Sequence, residues 1–142
     1  MRVESVGYQG SIADAIEQAT EAEESGFDTW WATETKSDVF LSAAAAAANT
    51  GSIRVGTGIA VALARNPMLV AVQANDIQAF SGGRFSLGLG AQIKPHVERR
   101  FSMEYSSPAV SVISGPTAAS CTGGLPCGLG PGSNIGVMRV WV

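Results

Sequence analysis

A carboxylate set directly after an aromatic segment is the first place in this chain where chemistry could reside. Glu34 follows Trp30-Trp31-Ala32-Thr33, so it should emerge where a strand ends. There it could accept a substrate proton or bind a cofactor hydroxyl or ring N–H. An ion pair with Lys36 is the competing use of the same carboxylate. The single histidine, His96, lies in Gln92-Ile93-Lys94-Pro95-His96-Val97-Glu98-Arg99-Arg100-Phe101, read as a loop after a strand. An imidazole could donate a proton there or stack on a ring, with an ordinary surface position as the alternative. Lys94, Arg99 and Arg100 give this segment positive charge suited to an anionic cofactor, or simply to a solvated face. Gly56-Thr57-Gly58-Ile59 sets two glycines in an otherwise β-branched run, which marks a bend, a bulge or the close approach of a ligand. Gly88-Leu89-Gly90 fails as a dinucleotide fingerprint because Ile93 occupies the last glycine position of G-x-G-x-x-G, leaving close backbone packing as its reading. Two cysteines, Cys121 and Cys127, with one histidine are too few for a closed zinc site.

These residues need elements to position them, and the first 108 residues alternate between two periods. Val3 to Gly7 reads as a short strand. Ser11 is a helix N-cap, with Ile12, Ala15, Ile16, Ala19 and Ala22 on one face and Asp14, Glu17, Glu21 and Glu24 on the other. Gly26 stops that helix as a residue able to take positive φ. Phe27 to Thr33 is a second strand, Leu41 to Asn49 an alanine-rich helix, and Ile53 to Val61 a third, buried strand. Pro67 opens a helix that runs to about Phe80. Ser81-Gly82-Gly83 turns, and Arg84 to Gly90 is the fourth strand.

Strict alternation implies an α/β fold with a parallel sheet and right-handed crossovers. An open doubly wound sheet and part of a (β/α)8 barrel both satisfy it. A nucleotide-binding open sheet would need a phosphate loop after the first strand, and Gly7-Tyr8-Gln9-Gly10 is too short for one. A whole barrel takes roughly 250 residues, so 142 residues hold only its first half. In either closure, functional groups gather at the C-terminal strand ends. Those ends are Gly7-Tyr8, Thr33-Glu34-Thr35-Lys36, Gly58-Ile59-Ala60 and Gly90-Ala91-Gln92.

Composition sets further bounds. Net charge is −3 without any long basic run, which argues against nucleic-acid binding. The longest apolar run, Leu41 to Ala48, is far short of the roughly 20 residues that span a bilayer. With no apolar stretch behind Met1-Arg2-Val3-Glu4, a cytoplasmic protein that meets no membrane is expected. All 12 acidic and 8 of the 9 basic residues lie in 1–108. Residues 109–142 carry one charge, Arg139, with 7 of the 17 glycines and 3 of the 6 prolines.

Taken together, several segments carry a more specific signal. Glu23-Glu24-Ser25-Gly26-Phe27-Asp28 leads to Trp31-Ala32-Thr33-Glu34-Thr35, then to Ile53-Arg54-Val55-Gly56-Thr57-Gly58-Ile59 and Asn66-Pro67. Phe80-Ser81-Gly82-Gly83-Arg84-Phe85 and Leu87-Gly88-Leu89-Gly90 complete the series. Over about residues 1–107 this resembles the bacterial luciferase-like flavin monooxygenase superfamily, in its deazaflavin (coenzyme F420)-dependent oxidoreductase branch. The resemblance implies a (β/α)8 TIM barrel holding F420, or alternatively FMN, at its C-terminal face. Here that means the N-terminal half: about four parallel strands with three helices, followed by an irregular C-terminal tail. It implies hydride transfer between the cofactor and a small organic substrate. It also implies a non-proline cis peptide at Gly58–Ile59 that supports the ring. Gly58, Ile59, Ala91 and Gln92 are then the cofactor-binding candidates, and Glu34 and His96 the catalytic ones. Many relatives carry histidine directly after the acidic residue, where this chain has Thr35.

The tail from Ala109 departs from the pattern, and its composition, rich in Gly, Pro, Ser, Cys and Val, is what a GC-rich gene yields when read out of frame; a genuine flexible appendage is the alternative. A half barrel alone is expected to be weakly active or inactive. The alternative is a non-catalytic half barrel that self-associates through exposed sheet edges.

Overall fold

The computed structural model of the protein describes residues 2–105 and the backbone of 139–141. Strand β1 (Glu4–Gly7) leads to helix α1 (Ile12–Glu24), β2 (Thr29–Ala32) and α2 (Val39–Asn49). Then come β3 (Arg54–Thr57), β4 (Ala60–Val61), a 3-10 turn (Ala62–Ala64) and α3 (Pro67–Phe80). The series closes with β5 (Phe85–Ser86), β6 (Gly88–Gly90), α4 (Lys94–Phe101) and β7 (Arg139–Trp141).

All described pairings are parallel. The strands pair in the orders β1-β2-β3-β5 and β4-β6-β7. Since β3 runs on into β4 and β5 into β6, strand order follows chain order without a reversal. A doubly wound sheet would reverse at a switch point. Trp30, Val55 and Phe85 stand in register on the face that carries the helices, packed with Ala15, Ala19, Ala43, Ala46 and Val70 in one core. This is the arrangement of the N-terminal half of a (β/α)8 barrel, with the opposite face of the sheet turned toward the barrel axis.

The local signals act where the sequence places them. Ser11 and Asp14 form a reciprocal capping box on α1. Gly26 takes φ 78° after it. Asn66 caps α3, whose first residue is Pro67. In Ser81-Gly82-Gly83-Arg84 both glycines have positive φ, 65° and 89°, a region costly for other residues. That turn delivers Arg84 beneath α2. Its Nη2 donates to Ala47 O and Thr50 O, Nη1 to Ile53 O and Thr50 Oγ1, and Nε to Ser81 O. At the end of α2 this guanidinium takes Ala47 O and the C-cap Thr50 O, while Thr50 Oγ1 takes Ala46 O and Asn49 Nδ2 takes Ala45 O. From the other side, the Glu23 carboxylate accepts from Gly51, Ser52 and Ile53 N–H.

Three expectations need correction. The third strand is not continuous: it breaks at Gly58–Ile59, whose peptide is cis. The fourth breaks at Leu87, because Thr57 Oγ1 takes over the ladder there, accepting from Gly88 N (2.9 Å) and donating to Gly88 O (2.8 Å). The segment around His96 is a helix rather than a loop, with Pro95 in its first turn and Val97 fully buried. Of the tail expected to be irregular, Arg139–Trp141 form β7, parallel to β6. The rest of that expectation, including its out-of-frame origin, lies outside the described residues. No described helix is long and apolar enough to cross a membrane.

Candidate active site

The C-terminal strand ends are joined by side chains that reach across from one element to the next. Gln9, just past β1 and almost wholly buried, donates through Nε2 to Thr33 O (2.7 Å). Thr33 Oγ1 donates back to Gly7 O (2.7 Å). Glu34 comes next. Its side chain is buried, and Oε2 accepts from Val61 N–H at 2.6 Å while Oε1 is paired with Arg65 Nη2.

Arg65 is the centre of the electrostatics. The same Nη2 donates to Asp38 Oδ2 (2.9 Å), and the guanidinium carbon lies 5.0 Å from the Phe40 ring centroid. Burial works to lower the Arg65 pKa, but its bonds to Glu34 and Asp38 and their charges outweigh that and raise it. Burial likewise works to raise the Asp38 pKa; the Arg65 bond, the Leu41 and Phe40 N–H groups and the Arg65 charge hold it below the ordinary carboxylate value. Asp38 is also the N-cap of α2, accepting from Phe40 and Leu41 N–H. Arg100, from α4, donates to Glu34 O at 3.1 Å. Around this network lies an open cleft of about 310 Å³, lined in part by Lys36, Ser37, Ala64 and Phe101.

The alternative use of Glu34, an ion pair with Lys36, is not the one formed: its partner is Arg65, and Lys36 is exposed. Gly58 and Ile59 are half-buried between β3 and β4, with Gly58 N–H donating to Ala32 O (2.7 Å). Ala91 and Gln92 follow β6, whose Gly90 stands opposite Val61. The structure therefore brings Glu34, the Gly58–Ile59 segment and the Ala91–Gln92 segment to one strand-end region. Gln92 has φ 61°, a left-handed conformation uncommon for a residue with a side chain. His96 is not brought there: it is exposed in the first turn of α4, while Arg100 and Phe101 of that helix reach the cleft.

Sequence reasoning missed Arg65 and Asp38. Arg65 is the lone charge in Ile59 to Val72, and Asp38 directly precedes the apolar start of α2; both were available signals. Among the described residues no group of His, Cys, Asp and Glu could hold a metal ion.

Parallel β/α units wound in chain order, with polar residues converging at the C-terminal strand ends, define one half of a (β/α)8 barrel. The comparisons agree: the Luciferase-like monooxygenase family matches residues 2–110, and this chain belongs to it. An uncharacterised protein of Mycobacterium tuberculosis (strain H37Rv) is 48% identical over 104 residues, 70% of this chain and 31% of that protein. The coenzyme F420-dependent tetrahydromethanopterin reductase of Methanopyrus kandleri superposes with a TM-score of 0.67 at 19% identity, over 80% of this chain and 37% of that one. The oxygenating constituent of 3,6-diketocamphane monooxygenase, from the CAM plasmid of Pseudomonas putida and solved with FMN, gives 0.62 at 20% identity, over 71% and 32%. The chain thus spans about a third of the length of these relatives.

Proposed function

We propose that this chain contributes the cofactor-ring side of a deazaflavin- or flavin-dependent oxidoreductase site acting on a small organic substrate. The observation that carries the reading is the surface formed where the third strand breaks. Half-buried Gly58 and Ala91 flank buried Gly90 at neighbouring strand ends with little or no side chain of their own, so a planar ring can approach the backbone there. The positive φ of Gln92 at the same place is the kind of backbone cost found at ligand sites.

The small residues Gly58 and Ala91 suit the approach of a flat ring. Gly58 and Ile59 would back it, with Ala91 and Gln92 at its edge. When bound, the cofactor supplies the hydride chemistry, and the protein supplies orientation and exclusion of water. F420 is favoured by the branch resemblance, with FMN as the alternative. Of the two acid–base candidates, His96 is exposed on α4 away from the strand ends, and both Glu34 oxygens are engaged.

Titration of the purified chain with oxidised F420 and with FMN, followed by cofactor fluorescence, tests this. Saturable binding of one of them is expected. Failure of both to bind up to about 1 mM, an affinity of only about 4 kcal/mol, would overturn the reading. A self-associating half barrel is the second reading, favoured by Val3 and Val6, which stand 44% and 52% exposed at the β1 edge.

A further inference from the structure

The backbone ladder between the second and third strands ends before the site does. The last residues in register are Ala32 and Thr57, and Gly58 N–H still finds a β2 carbonyl, Ala32 O. Beyond the break, β4 lies alongside a chain that has left the strand conformation. Val61 N–H nevertheless has an acceptor there, and it is the Glu34 carboxylate at 2.6 Å.

We propose that Glu34 is a positioning residue: its carboxylate extends β2 past its end by standing in for a missing ladder carbonyl, and so fixes β4 behind the ring surface. Three features support this. First, the bonded N–H belongs to a buried strand residue, and an unmet buried N–H is costly. Second, the other carboxylate oxygen is held by Arg65, which is itself held by Asp38, so the acceptor is fixed from behind and is not free to turn toward a substrate. Third, Thr57 performs the equivalent service at the neighbouring break, where its hydroxyl bridges Gly88 N and O. Two side chains thus carry the sheet across two interruptions. The role rests on the cofactor-site reading only for its functional consequence; the hydrogen bond itself can be tested without a cofactor.

Amide hydrogen exchange at Val61 is measured in the wild-type chain, Glu34→Ala and Glu34→Gln. The glutamine amide oxygen can still accept from Val61, whereas alanine offers nothing. Exchange should quicken roughly tenfold or more in Glu34→Ala and stay within about threefold in Glu34→Gln. Unchanged exchange in Glu34→Ala, or equal loss in both variants, would overturn the proposal. Should Glu34→Ala not fold, Glu34→Gln decides alone: protection retained supports the role and protection lost refutes it. With whichever of F420 or FMN binds, the Kd should rise roughly tenfold in Glu34→Ala and little in Glu34→Gln. Equal Kd values with turnover abolished in both variants would identify a proton-transfer residue instead. If neither cofactor binds the wild-type chain, the proposed function fails while the exchange result still stands.

Discussion

Removing the Arg84 guanidinium should cost this fold more than any other single surface-reaching change. In Arg84→Met the aliphatic stem remains and five hydrogen bonds disappear, four to backbone carbonyls and one to Thr50 Oγ1. A hydrogen bond from a charged donor contributes about 1.5–3 kcal/mol when buried. Arg84 is only half-buried, and water can replace part of what is lost, so a net loss of about 3 kcal/mol is expected. That is a large part of the roughly 5–15 kcal/mol that holds a domain together. With a urea m-value of about 1.5 kcal/mol/M, the unfolding midpoint should fall by roughly 2 M. Arg84→Lys should recover less than half of this, because one ammonium cannot span the distance from Ala47 O to Ser81 O with fork geometry. Since the partners are neutral carbonyls, 0.5 M salt should leave the difference nearly unchanged. A midpoint shift below about 0.5 M for Arg84→Met, or full rescue by lysine, would refute the claim that guanidinium geometry closes the end of α2.

Glu23 should give the fold an acid-sensitive component: the N–H groups of Ile53 and Ser52, the Ser52 hydroxyl and the Gly51 N–H hold its pKa at about 2, below its ordinary 4.5. A depressed carboxylate pKa stabilises fully above the ordinary value, so about 1–2 kcal/mol, after allowing for its exposure, should be lost as pH falls from about 4.5 to 2. Urea melts across that range should be flatter for Glu23→Gln, and equal slopes would count against it. Thr57→Val keeps the shape but leaves Gly88 N and O unpaired in a buried position, and should lower stability by about 2–3 kcal/mol in the same melts. Gly56→Ala places a Cβ 2.6 Å from Trp31 Cε3 and 2.8 Å from Ser86 O; a loss of about 2 kcal/mol with a shifted Trp31 emission is expected. Asn66→Ala removes the acceptor for Met68 and Leu69 N–H at the start of α3 and should cost about 1 kcal/mol, read as a lower melting temperature.

What could be read from the sequence was local. Ser11, Gly26 and Pro67 each act within a few residues of themselves, so their neighbours suffice to place the ends of α1 and the start of α3. Glu34 was also found by position, at the end of an aromatic strand. Its partner was not, because Arg65 lies 31 residues away and meets it only once the segment after β2 is folded beside β4. The strand breaks were hidden for a related reason: Thr57 looks like any β-branched strand residue until its hydroxyl is seen to replace a ladder bond. Helix α4 escaped notice because only Val97 among its eight residues is buried, too few to set up a helical period.

The two neighbouring indoles of β2, two of the three tryptophans in the chain, report on opposite faces of the sheet. Trp30 is sealed among the helices, whereas Trp31 is half-buried on the axial face, where its Nε1–H donates to Glu4 Oε2 (3.0 Å) and its ring lies over Gly56 and Gly58. One residue of sequence thus separates a chromophore that reports only the integrity of the helical layer from one that reports events at the barrel axis. Trp31 should emit further to the red and be quenched by iodide, while Trp30 should remain dark to the quencher until the helices part. Anything that settles over the broken third strand would shield Trp31 first, so an iodide titration of single-tryptophan variants tells occupancy of that face apart from a general tightening of the fold.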